Sequence, residues 1–110
     1  MAFNEELATR VRDVLADVPE VSERRMFGGL AFLVGGHMAC GIVGADLMLR
    51  LGEAGADAAL DHPHVRPMDF TRHPMRTMVY VTAEGIVDDR TLREWVERAV
   101  DYVRALPPKT

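Results

Sequence analysis

Apolar residues at both ends of the chain recur at the three- and four-residue spacing of amphipathic helices. The first series ends near Pro19 and consists of Phe3, Leu7, Val11, Val14, Leu15 and Val18. The second begins after Asp88 or Asp89, either of which can cap a helix, and stops at Pro107. Its apolar stripe consists of Leu92, Trp95, Val96, Ala99, Val100, Val103 and Leu106. The pattern therefore predicts a helix at each end of the chain.

Residues 24–51 have a different pattern, in which short apolar runs alternate with glycine-containing turns at 35–36 and 44–46. This pattern is typical of antiparallel strands joined by tight turns, and it predicts three strands in a meander. Alternation predicts that the second strand presents Met38, Cys40 and Ile42 on one face. In the third strand we expect the helices to contact the leucine row, which consists of Leu47, Leu49 and Leu51.

The segment between the meander and the last helix predicts one more helix and two more strands. Residues 53–60 are rich in alanine and acidic residues and predict a short helix. A short strand is expected at residues 68–70 and a clearer one at 78–82. The order α-β-β-β-α-β-β-α predicts an α+β fold in which helices pack on an antiparallel sheet, with residues 1–110 forming a single domain.

Charge and composition exclude several classes of protein. The chain has 13 basic and 17 acidic residues and a net charge of −4, which argues against direct nucleic-acid binding. The uncharged stretch 26–45 contains six glycines and His37, which fit hairpins and not a membrane-spanning helix. An acidic amino terminus unlike a secretory signal, together with a lone cysteine, Cys40, leads us to expect a cytoplasmic protein.

The side chains that could perform chemistry do not form a known catalytic motif. Ser22 and Lys109 are the chain's one serine and one lysine, and neither lies in a nucleophile motif. We therefore expect no catalytic residues and no bound cofactor. The alternative is a small-molecule or metal-binding loop in which His62, His64 and His73 meet, with nearby arginines holding an anionic ligand.

At Arg25-Met26-Phe27-Gly28-Gly29 the sequence begins to resemble the amino-terminal domain of the TfoX/Sxy family of competence regulators in its stand-alone form. The resemblance covers nearly the whole chain. It continues through Met38-Ala39-Cys40, Leu47, Leu49, Arg66-Pro67-Met68-Asp69-Phe70, Met78-Val79-Tyr80-Val81, Leu92, Trp95 and Ala99. It implies an α+β fold without enzymatic activity. Full-length members act in transcriptional control of DNA-uptake genes and carry a second, carboxy-terminal helical domain, which we do not expect in the stand-alone form.

Arginines and methionines in the sheet half predict where a partner would bind. We expect a non-enzymatic regulatory or adaptor domain that contacts another protein, such as a transcription factor. The predicted contact residues are Arg25, Met26, Phe27, Arg66, Met68 and Arg72. A homodimer built on an exposed sheet edge is a further alternative.

Overall fold

The computed structural model describes residues 3–26, 28–68 and 75–107. The helices in these residues are α1 (Glu5–Val14), α2 (Gly52–Ala59) and α3 (Asp89–Arg104). The strands are β1 (Val21–Met26), β2 (Gly29–Val34), β3 (His37–Val43), β4 (Asp46–Arg50), β5 (Val65–Met68) and β6 (Met75–Val81). All six form one antiparallel sheet in the order β1-β2-β3-β4-β6-β5. The predicted α+β fold class is confirmed.

The two long helices begin at polar caps. The side chain of Asn4 accepts a hydrogen bond from the backbone N–H of Leu7 at 2.9 Å, and that of Asp88 accepts one from Thr91 at 3.1 Å. Each cap satisfies a backbone donor that the first turn of a helix leaves without a partner. Among the described helices, none is long and apolar enough to cross a membrane.

Residues 21–34 form two strands, where the sequence pattern predicted one. Met26 pairs with Gly29 across a tight turn, and Gly28 adopts a φ of 71° there, a conformation that glycine tolerates well. Strand β1 lies at the edge of the sheet, and its central residues are exposed. It therefore has no alternating apolar pattern by which the sequence could reveal it.

The last two strands lie earlier in the chain than predicted. Strand β5 ends at Met68, where the predicted strand 68–70 begins; residues 69 and 70 lie outside the described part of the chain. Strand β6 starts at Met75, three residues before the predicted start. Pro67 lies in β5, and an edge strand is where a sheet tolerates proline, because its missing N–H removes no bond from a central ladder.

The larger core lies between the helices and one face of the sheet. It includes the predicted leucine row of β4, together with Cys40 and Ile42 of β3 and apolar residues of all three helices. Helix α1 is also joined to the edge strand β1, because Arg12 donates two hydrogen bonds to Glu23, at 2.7 and 2.8 Å. This contact lowers the pKa of the Glu23 carboxyl below its ordinary value.

The predicted position of Met38 on the Cys40 side of β3 is wrong. The ladder between β2 and β3 pairs Phe32 with Cys40 but Leu33 with Met38, so Ala39 is an extra residue in β3. Such a bulge reverses the face on which the following side chain lies. Met38 packs with a second buried cluster on the other face of the sheet, formed by Met48, Met68 and Met78.

Candidate functional site

The second face of the sheet carries a row of residues with an arginine at each edge. None of the described helices contributes a residue to the methionine cluster there, and we call this side the helix-free face. The strand pairings connect one residue of each strand into a row: Arg24, Ala31, Gly41, Met48, Tyr80 and Arg66. Five interstrand spacings of about 4.8 Å separate the two arginines by about 24 Å.

Arg66 is held in place over this face. Its guanidinium lies 5.5 Å from the centre of the Tyr80 ring on β6 and donates a hydrogen bond to the Asp46 carboxylate on β4 at 2.8 Å. The Arg66 side chain thus crosses strand β6, and the Asp46 carboxylate partly neutralises the charge of its guanidinium. Arg24, at the opposite edge, is exposed and forms no ion pair with any residue that the structure describes.

The middle of the row is buried: Ala31 and Met48 have no exposed surface, and Gly41 is buried as well. Ala31 and Gly41 lie side by side on β2 and β3, and Met48 lies over Gly41, where an added Cβ would come within 2.6 Å of its terminal methyl. Met26 and Met38, on either side of the row, are half-buried. Because methionine side chains are flexible, these two adapt readily to different apolar groups of a partner.

The structure does not bring the sequence-predicted contact residues together. Arg66 and Met68 lie on β5, with Met68 buried in the methionine cluster, whereas Met26 lies across the sheet on β1. Arg25 lies on the helix side, where its guanidinium is 5.7 Å from the Phe3 ring centre. Phe27 and Arg72 lie outside the described residues.

Three further residues lie on the helix-free face and were not among the contact residues predicted from the sequence: Arg24, Met38 and Tyr80. Arg24 is two residues before Met26 and therefore shares its face, so alternation along an edge strand could have identified it. Met38 and Tyr80 required the strand order and the position of the bulge.

A small pocket on the helix side contains two of the three predicted ligand histidines. It has a volume of about 170 Å³ and lies between α3 and the loop that joins α2 to β5. Its lining consists of His62, Pro63, His64, Val65, Val81, Gly85, Thr91 and Trp95. His73 lies outside the described residues, and within the described ranges no three His, Cys, Asp or Glu side chains are close enough to hold a metal ion.

Trp95 forms the apolar wall of this pocket. It is 6% exposed, and the His62 ring meets it edge-on, with 5.0 Å between ring centres and an angle of 77° between ring planes. The Arg98 guanidinium lies 4.8 Å from the centre of the Trp95 ring. Trp95 thus has a cation over its ring and an imidazole at its edge.

Two shallow depressions between α1 and α3 are lined by alternating acids and bases. The first measures about 260 Å³ and includes Arg10, Asp13 and Asp89; the second measures about 250 Å³ and includes Asp17 and Arg104. Because both signs of charge line each depression, neither favours a ligand of one charge.

Comparison with known proteins identifies a family and a similar fold. The family model described as the TfoX N-terminal domain matches residues 13–103. A crystal structure of the Deinococcus radiodurans protein DR2400, which carries a DUF419 domain, is similar with a TM-score of 0.68 and 21% sequence identity. The similarity covers 96% of this chain and 80% of that one. Among curated proteins, no sequence matches significantly.

The two comparisons support different statements. At 21% identity, the Deinococcus structure is evidence for a shared fold. The family model covers most of the chain, including strands β1–β6 and nearly all of α3. The resemblance expected from Arg25-Met26-Phe27-Gly28-Gly29 and the residues that follow is therefore confirmed, and the chain belongs to the TfoX N-terminal domain family.

Proposed function

We propose that this domain is a non-enzymatic adaptor that binds an acidic segment of another protein, a transcription regulator, on its helix-free face. The observation that carries this proposal is the cross-strand row with Arg24 at one edge and Arg66 at the other. Membership of the TfoX N-terminal domain family supports the regulatory part of the proposal.

The shape of the helix-free face suits an elongated partner. The row spans about 24 Å, which is about the length of four turns of α-helix. The half-buried methionines on the two sides of the row, Met26 and Met38, offer apolar contacts to such a partner. A carboxylate near one end of the bound segment would meet the exposed Arg24, and one near the other end would share Arg66 with Asp46.

The charge of this face selects a partner with the opposite charge. The chain as a whole carries a net charge of −4, yet the row places arginines at both edges of the sheet. Local positive charge attracts carboxylates, while the overall negative charge repels a polyanion such as DNA. We therefore favour an acidic protein segment over a nucleic acid.

The proposal places this adaptor in the cytoplasm. Cys40 is a buried free thiol and the chain's one cysteine, which is compatible with a reducing compartment. A regulator that controls transcription would meet the domain there. The helix-free face then acts by binding alone, and the domain changes the activity of its partner without a chemical step of its own.

Affinity recovery of the tagged protein from its native lysate, followed by mass spectrometry, tests this function. Each recovery is repeated after nuclease treatment and with the double variant Arg24→Gln/Arg66→Gln. We expect to recover a defined regulator both with and without nuclease. Its recovery should fall about fivefold to tenfold with the double variant, since two exposed charge contacts are lost.

A matched control uses two exposed arginines of α3. The double variant Arg90→Gln/Arg93→Gln removes the same charge from the helix side of the molecule and should recover the regulator at the wild-type level. Thermal melting of all three proteins checks that the fold is retained. Equal loss in both double variants, or a partner that disappears with nuclease, would contradict the proposed face.

A further inference from the structure

We infer that the pocket beside Trp95 binds a small aromatic carboxylate. This site lies on the helix side of the sheet, because Val65 and Val81 in its wall belong to the larger core. It is therefore separate from the helix-free face, and the inference does not depend on the adaptor role.

The size and lining of the pocket suit one aromatic ring. Its volume is about 170 Å³, and a cavity of about 150 Å³ accepts benzene. Trp95, Pro63 and Val65 offer apolar walls to such a ring. The imidazole of His62 already meets Trp95 edge-on, which is a favoured packing of aromatic rings and one that a ligand ring could extend.

The polar groups around the pocket favour a negative charge on the ligand. His62 and His64 line the pocket, and the Arg98 guanidinium lies 4.8 Å from the centre of the Trp95 ring, which is one of the pocket walls. None of the described lining residues carries a carboxylate. A carboxylate beside the Trp95 ring would therefore meet the Arg98 guanidinium without an acidic side chain in the pocket lining.

Backbone contacts preform the pocket. The carbonyl of His64 accepts a hydrogen bond from the Thr82 N–H at 2.9 Å, which fixes the loop against the end of β6. Gly85 lies so close that an added Cβ would come within 2.7 Å of the His64 Cβ. A ligand would thus bind without first ordering the loop, which lowers the entropic cost of binding.

Fluorescence of Trp95, the chain's one tryptophan, tests the inference directly. The full chain is titrated with benzoate, and with benzamide as a neutral probe of nearly the same shape. We expect a saturable change with benzoate in the millimolar range and about fivefold weaker binding of benzamide, because the neutral amide lacks the attraction to the guanidinium.

Variants locate the binding site. The change His62→Gln/His64→Gln and, separately, Arg98→Gln should each weaken benzoate binding about fivefold. The matched controls are His37→Gln, whose ring bonds to the Pro107 carbonyl away from the pocket, and Arg93→Gln on the same helix as Arg98. Both controls should bind benzoate with wild-type affinity.

Three results would overturn the inference. They are the lack of a saturable fluorescence change with benzoate, equal affinity for benzoate and benzamide, and wild-type benzoate affinity in both pocket variants. Thermal melting identifies any variant that fails to fold. Because Arg98 is exposed and its replacement leaves the histidine loop intact, the Arg98→Gln comparison remains valid if the histidine double variant unfolds.

Discussion

Cys40 shows how burial controls the chemistry of a single residue. It lies on β3 in the larger core with no exposed surface, and it pairs with Phe32 on one side and Leu49 on the other. Burial raises the pKa of its thiol from the ordinary 9.0 to about 12, because a thiolate would have to form without water. The side chain therefore acts as a small apolar group of the core.

This burial predicts slow reaction of Cys40 with a thiol reagent in the native protein. We expect 5,5′-dithiobis(2-nitrobenzoate) to label it rapidly in denaturant and at least about a hundredfold more slowly without denaturant, since reaction requires both exposure and a thiolate. Labelling at the rate of a free thiol under native conditions would contradict the assigned position.

The same shift has a consequence for stability at high pH. Between pH 9.0 and about 12, the unfolded chain ionises Cys40 while the folded chain keeps the neutral thiol. The contribution of this thiol to stability is therefore complete below pH 9.0 and decreases as the pH rises through this window. Comparison of the thermal midpoints of wild type and Cys40→Ala across this range isolates the effect.

At the scale of elements, Arg10 fixes α1 to the segment that leads into α3. It donates hydrogen bonds to the backbone carbonyls of Ile86 at 2.7 Å and Val87 at 3.2 Å, and to the Asp89 carboxylate at 2.8 Å. The Arg10 side chain is 23% exposed, whereas that of Asp89 is 88% exposed. The contact with the Ile86 carbonyl is therefore partly shielded from water, whereas the contacts with Val87 and Asp89 are exposed.

This difference predicts unequal effects of two substitutions. Arg10→Met keeps most of the apolar stem but removes all three contacts, and we expect it to lower the free energy of unfolding by about 1–2 kcal/mol. Asp89→Asn removes only the exposed ion pair and should cost less than about 1 kcal/mol. Urea unfolding of both variants measures the difference, and an equal loss in both would show that the ion pair dominates.

At the scale of the whole molecule, one sheet supports two apolar clusters. The larger cluster joins α1, α2 and α3 to one face, and Met48, Met68 and Met78 form the smaller one on the other face. Strands β3, β4 and β6 contribute side chains to both clusters. Unfolding of the sheet would therefore disrupt both clusters together.

This arrangement predicts a single cooperative unfolding transition. Trp95 reports on α3 and the larger core, and far-UV circular dichroism reports on all helices and strands. We expect the two signals to give the same midpoint in urea, as two-state unfolding requires. Midpoints that differ by more than experimental error would show that the chain contains separable folding units.

Local patterns in the sequence determined much of the secondary structure of this protein. The amphipathic stripes specified α1 and α3, a predicted aspartate cap marked the start of α3, and alternation placed the leucine row of β4 toward the helices. The motif at residues 25–29 identified the family. The helical stripes and the strand alternation depend on residues two to four positions apart, and the motif is contiguous, so all of them can be read along the chain.

Only the tertiary structure decided which distant residues share a surface. Strand β1 was hidden because an exposed edge strand needs no apolar alternation, and the bulge at Ala39 moved Met38 to the face opposite Cys40. The row from Arg24 to Arg66 requires the order of all six strands, and the pocket that joins His62 to Trp95 requires the packing of a loop on α3. Pairing and packing between distant segments bring these residues together, and the periodicity of the sequence does not show which segments meet.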